Sequence, residues 1–158
     1  MYFGIDTYSW TKLFLLYDED FNLAIKELID QIDIFITIPV KKELEHFHQT
    51  HKSLWNDISI FNEKTTSKYW YDPQIFDQAD ISLLKYSEED NIVIITEDRP
   101  MLTLNITGKN NIIQLGDFLF SLYKKDYFSK REITYLINWF REKKNISKKK
   151  SKSLKNLF

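Results

Sequence analysis

Short apolar runs alternate with amphipathic helical stretches along this chain, and no other feature of it constrains the fold as strongly. Met1 to Ile5 is a brief apolar run that stops at Asp6, where a turn leads into a helix near Trp10. Asp33 to Pro39 is a β-branched run ended by proline, and Ile92 to Ile95 is the strongest strand signal. A last short strand is expected at Ile112–Leu115 and a minor one at Tyr69–Tyr71. Helical spacing joins Leu23, Ala24, Leu28 and Ile32, then Val40, Leu44 and Phe47 within Val40–His51. Residues 53–63 read as a short helix, Asp77 as the N-cap of a helix reaching Glu88, and Gly116 as the opening of another. Strands alternating with helices imply a parallel sheet covered on both faces. The expected class is α/β, a three-layer α/β/α sandwich around a central, mostly parallel sheet of four or five strands.

Beyond that alternation, Ser129-Lys-Arg-Glu132 is a capping-box pattern, and it starts a helix with Ile133, Leu136, Ile137 and Phe140 on one face. After Lys144 the chain turns to lysine, serine and asparagine, which predicts loss of order. The expected organisation is a domain over 1–124, a helical extension over 125–145 and a basic tail over 146–158. Charge divides within the helical extension. The net charge is −1, but Arg141–Phe158 carries +7 and the first 140 residues −8. Such polarity points to a polyanionic partner.

Composition excludes several classes. Hydrophobic residues make up 43% of the chain, enough for a substantial core. Without cysteine there is no disulfide scaffold, thiolate zinc site or cysteine nucleophile. Three glycines leave no glycine-rich phosphate loop, and no Gly-x-Ser-x-Gly elbow is present. No apolar run approaches a membrane span, and the first residues lack the pattern of a secretory signal. A cytoplasmic protein without a membrane partner is expected.

The informative acids are those placed where core residues belong. Phe76, Ala79, Leu83 and Leu84 define one helical stripe, and Asp80 falls within it with no basic residue three or four positions away. Its partner must be backbone or a distant base, because an unpaired buried carboxylate costs several kcal/mol. Glu43 lies about 65° from the centre of the Leu44 face, whereas Glu45 points to the opposite side. Asp6 and Asp98 each follow an apolar strand, at the edge where open parallel sheets build their sites. Each is equally suited to capping the next helix. Four converging carboxylates repel one another unless a divalent cation joins them, and oxygen-only ligands suit Mg2+ or Mn2+. Such an ion equips a site for phosphodiester hydrolysis.

Asp6-Thr7, the Glu43-Leu44 pair, Asp80 on its helix and Thr96-Glu-Asp98-Arg99 after a strand together resemble a PIN domain over residues 1–120. The resemblance implies a metal-dependent endoribonuclease with Asp6, Glu43, Asp80 and Asp98 as catalytic and metal-binding acids. Thr7 and Thr96 would orient ligands or water. It also implies in-line attack by water, leaving 5′-phosphate and 3′-hydroxyl ends. Many members carry a further acid two residues beyond the fourth, where this chain has Pro100. RNA is the expected partner, with an antitoxin protein if the chain is a VapC-type toxin, and a homodimer is a family expectation. The alternative is a catalytically silent RNA-binding or assembly module. A haloacid-dehalogenase reading fails at Tyr8, where that family places a second aspartate.

Other features invite the same question. Lys148, Lys149, Lys150 and Lys152 are candidates for holding an RNA backbone. His46, His48 and His51 do not share one helical face and are read as solvated or packed. Trp70 and Tyr71 are read as core residues before they are read as base-stacking ones.

Overall fold

The computed structural model describes residues 1–19, 21–105, 108–142 and 147–157. The first half runs β1 (Tyr2–Ile5), α1 (Thr7–Asp18), α2 (Asn22–Gln31), β2 (Ile34–Thr37), α3 (Ile38–Glu43), α4 (Glu45–Thr50), α5 (Lys52–Trp55) and β3 (Ser59–Phe61). The second runs α6 (Gln78–Tyr86), β4 (Ile92–Thr96), α7 (Arg99–Asn105), β5 (Ile112–Gln114), α8 (Leu115–Lys124), α9 (Lys130–Glu142) and α10 (Lys148–Lys155).

The strands form one parallel sheet in the order β3-β2-β1-β4-β5, flanked by helices. β1 is central, with Gly4 opposite Phe35 on one side and Ile94 on the other. A Cβ at Gly4 would lie 2.6 Å from Ile94 Cδ1 and 2.7 Å from Phe35 Cζ, so close side-chain packing from both neighbouring strands requires glycine there. Phe35 stacks on Phe61 at 4.3 Å and meets Tyr86 of α6 edge-on. A second aromatic cluster joins Trp10 and Phe14 of α1 to Trp55 and His51.

From β1 to β3 the chain steps across the sheet in one direction, and from β4 to β5 it steps in the other. Right-handed crossovers then put α1 and α2 on one face and α6 on the opposite face. The reversal falls between β1 and β4, which makes the crevice outside their carboxyl ends the switch point of the sheet.

Three local expectations need correction. The helix expected over 53–63 ends at Trp55, and Ser59–Phe61 is the edge strand β3. Its side chains are mostly exposed, so no buried alternation marks it. Tyr69–Tyr71 is loop. Its Tyr71 is held by its hydroxyl, which donates to the Leu84 carbonyl at 3.2 Å, and not by a sheet ladder. The helix expected over Val40–His51 is broken at Leu44, whose amide is shared between the carbonyls of Val40 and Lys41. The side chains of Phe47 and His48, named above for a helical face and a histidine pair, lie outside the described residues.

The chain divides into two compact units, Met1–Ile112 and Ile113–Phe158. In the second unit α8 packs on α9, and α10 packs on both. Ser129 and Glu132 form the expected capping box, with reciprocal bonds of 3.2 and 2.8 Å. The tail expected to lose order is the helix α10. Ser147 caps it by accepting the Lys150 amide at 3.0 Å, and Leu154 and Ser151 turn inward. Lys150 pairs with Asp117 and Lys155 donates to Asn138, so two of its lysines serve packing. Residues 143–146, where the expected 145/146 boundary falls, lie outside the described residues. Among the described residues no helix is long and apolar enough to cross a membrane.

Candidate active site

Asp6 is the first residue beyond β1 and the N-cap of α1. Its Oδ1 accepts the Ser9 amide at 2.9 Å, and its Oδ2 accepts the hydroxyl of Thr96, the last residue of β4. Only 5% of Asp6 is exposed. Burial raises its pKa above the usual carboxylate range against the hydrogen bonds from Ser9 and Thr96, and the nearby Asp98 charge adds to the rise.

Thr96 joins two acids. While its hydroxyl donates to Asp6, the same oxygen accepts the Asp98 amide at 2.9 Å. Asp98 in turn caps α7, its Oδ2 accepting the Met101 amide at 3.1 Å and its carbonyl the Leu102 amide. Strand pairing explains the proximity, because Ile5 lies opposite Ile95 and the next residues on both strands meet at the switch point.

Asp80 sits in the first turn of α6, half-buried. Its amide donates to Asp77 Oδ1 at 2.8 Å, and its Oδ2 accepts the Asp77 amide at 3.4 Å. Backbone therefore supplies the partner that its helical position required. Its pKa is pushed up to about 7, first by burial and then by the charge of Asp77, with smaller contributions from Asp98 and Asp6. The charges that raise it are all carboxylates. Asp6, Asp80 and Asp98 share one electrostatic environment, and Asp77 joins them as an acid that sequence reading assigned only to capping.

Glu43 is placed differently. It is exposed at the end of α3 and accepts a hydrogen bond from the Thr7 hydroxyl, while Glu45 is exposed on the next helix. Beneath this edge a buried hydroxyl pair, Thr37 with Ser82 at 2.6 Å, ties the end of β2 to α6. A cavity of about 280 Å³ adjoins α6 and is lined in part by Asp77, Ser82, Phe76 and Lys85.

The donor set fits a hard divalent cation by charge and by chemistry, being all oxygen and mutually repelling at Asp80. Among the described residues, however, no group of three or more His, Asp or Glu side chains is arranged to hold a metal ion. The histidines are placed elsewhere. His51 is buried, bonded to Asp18 at 2.7 Å and stacked on Phe14, and His46 is exposed. Of the candidate lysines, Lys148, Lys149 and Lys152 are exposed and Lys150 is paired.

No family model matches the chain. No curated protein sequence matches it either. Among solved structures it is similar to a PilT N-terminus (PIN) domain protein from the hyperthermophilic archaeon Sulfolobus solfataricus P2. The two are 15% identical, with a TM-score of 0.51, and the match covers 77% of this chain and 92% of the other. Strand order, switch point and this likeness agree on the architecture: the chain has the fold of a PIN domain.

Proposed function

We propose that the chain is a divalent-cation-dependent endoribonuclease whose site is the Asp6, Glu43, Asp80 and Asp98 carboxylates. The observation that carries this reading is the Thr96 bridge between Asp6 and Asp98 at the switch point, with Asp80 responding to both charges. Asp6, Asp98 and Asp80 would hold Mg2+ or Mn2+, with Glu43 steadied by Thr7. The bound ion supplies Lewis acidity toward a phosphoryl oxygen and lowers the pKa of water.

The protein's own residues do the rest. Thr96 fixes the Asp6 carboxylate by donating to Oδ2, and the Ser9 amide fixes Oδ1. Asp80, whose pKa of about 7 belongs to the ion-free site, would with Glu43 orient the attacking water. Water oxygen adds to phosphorus, the bond from phosphorus to O3′ breaks, and the products carry 5′-phosphate and 3′-hydroxyl ends. A toxin role would bring an antitoxin partner and a homodimer, with the exposed α10 lysines as a further contact to RNA.

One observation favours a second reading, a catalytically silent module. The Asp6, Asp80 and Asp98 carboxylates all accept backbone amides near helix starts, as structural caps do. One experiment decides between the two. Labelled single-stranded and structured RNAs are incubated with wild type, Asp6→Asn and Asp98→Asn, in Mn2+, Mg2+ or EDTA. Metal-dependent cutting that falls at least about a hundredfold in both variants is expected. Binding without cutting in every condition selects the silent module, and cutting that survives both substitutions sinks the assignment of these acids.

A further inference from the structure

Trp70 is 79% exposed, whereas Trp10, Trp55 and Trp139 are at most 6% exposed. The core role expected for the Trp70-Tyr71 pair holds for Tyr71 alone. The loop is pinned on both sides of the indole. Before it, Glu88 accepts the Ser67 hydroxyl at 2.8 Å and the Lys68 amide at 2.6 Å. After it, Tyr71 donates to the Leu84 carbonyl and accepts from the Asn110 side chain at 2.8 Å. Between these anchors the ring is held outward.

A single exposed apolar side chain is ordinary and by itself says nothing. Here two lysines share the loop's neighbourhood, with Glu88 and Asp72 also flanking it. The Lys109 ammonium lies 5.1 Å from the Tyr69 ring centroid, and Lys68 is exposed two residues before Trp70. Protein interface cores are depleted of lysine, which argues against a protein partner at this spot. Aromatic faces beside ammonium groups are what single-stranded nucleic acid requires, a platform for a base and charges for its phosphates. Bases within a duplex are already stacked and cannot use such a platform.

We propose that the Tyr69-Trp70 loop, with Lys68 and Lys109, is a stacking site for an unpaired base of single-stranded RNA. The choice of RNA rests on the ribonuclease reading. The loop is anchored at the C-terminal end of α6, through Leu84 and Glu88, so the stacked nucleotide would lie at the end of that helix opposite Asp77 and Asp80.

The test uses the full chain in EDTA, where cleavage is not in play. A short oligouridylate, a short oligoadenylate and a short RNA duplex are titrated while tryptophan emission is followed. The exposed indole emits to the red of the three buried ones, so single strands quench the red edge and the duplex leaves it unchanged. Trp70→Ala should lose that signal and bind single strands roughly 5- to 150-fold more weakly, as loss of one stacking contact predicts. Trp70→Phe should recover most of the affinity. Removing Lys68 and Lys109 together should lower the salt slope by about 1.4. Unquenched emission, or unchanged binding by Trp70→Ala with a native circular dichroism spectrum, overturns the proposal. So does red-edge emission that changes with protein concentration alone, because a second copy would then cover the ring. Quenching in EDTA by a chain that cuts no RNA in Mn2+ or Mg2+ keeps this site and removes the nuclease reading, while metal-dependent cutting with no quenching and no effect of Trp70→Ala does the reverse.

Discussion

Thr96 uses both capacities of one hydroxyl, donating a hydrogen bond to Asp6 and accepting one from the Asp98 amide. Asp80 has weaker relief, a 3.4 Å bond from the Asp77 amide. Its pKa of about 7 means that the folded protein holds this proton more tightly than the unfolded chain does. The folded state therefore binds more protons than the unfolded one between about pH 4 and 7, and stability falls as pH rises through that window. Asp80→Asn should flatten this slope and raise stability at pH 8 by roughly 1–3 kcal/mol, after allowance for solvent screening. Urea melts of both proteins at several pH values would show it, and parallel pH profiles would contradict it. The position of Asp80 was legible, since its helical angle placed it among apolar residues. The role of Asp77 was hidden because an N-cap aspartate looks the same whether or not it also faces other acids. Trp70 could not be placed from sequence either, since an aromatic between two anchored residues carries no period.

At the scale of elements, buried runs and caps read well. The strands at Ile92 and Ile34 stand out because both of their faces are covered, and the box at Ser129 is a local chemical pattern. Edge strand β3 escaped because an exposed strand needs no apolar alternation. Helix α10 escaped because one inward leucine among five lysines resembles a solvated tail. Its order rests on the Ser147 cap, the Leu154 contact and the Lys150–Asp117 pair. Ser147→Ala should cost about 1 kcal/mol of local stability. Amide hydrogen exchange at Lys150 and Ser151 should then quicken about fivefold, and unchanged rates would show that the cap contributes nothing.

Across the whole molecule the charge is divided more sharply than the +7 tail suggests. The unit from Ile113 onward holds twelve Lys and Arg against four Asp and Glu, a net +8, which leaves −9 on Met1–Ile112. The acidic unit carries the candidate site, so its stability should depend on divalent cations beyond general ionic strength. With Mn2+ at a hundred times its dissociation constant, Tm should rise by roughly 5–10 °C, and the rise should shrink in Asp98→Asn. A melt indifferent to Mn2+ at matched ionic strength would count against cation binding at these acids.

The Thr96–Asp6 hydrogen bond spans ninety residues of sequence and unites the first strand with the fourth. During synthesis Asp6 leaves the ribosome long before β4 exists, so a growing chain has one acid of the site and no partner for it. A site built this way is incomplete until the sheet closes. The order of translation thereby delays the site until β4 has been made and has paired with β1.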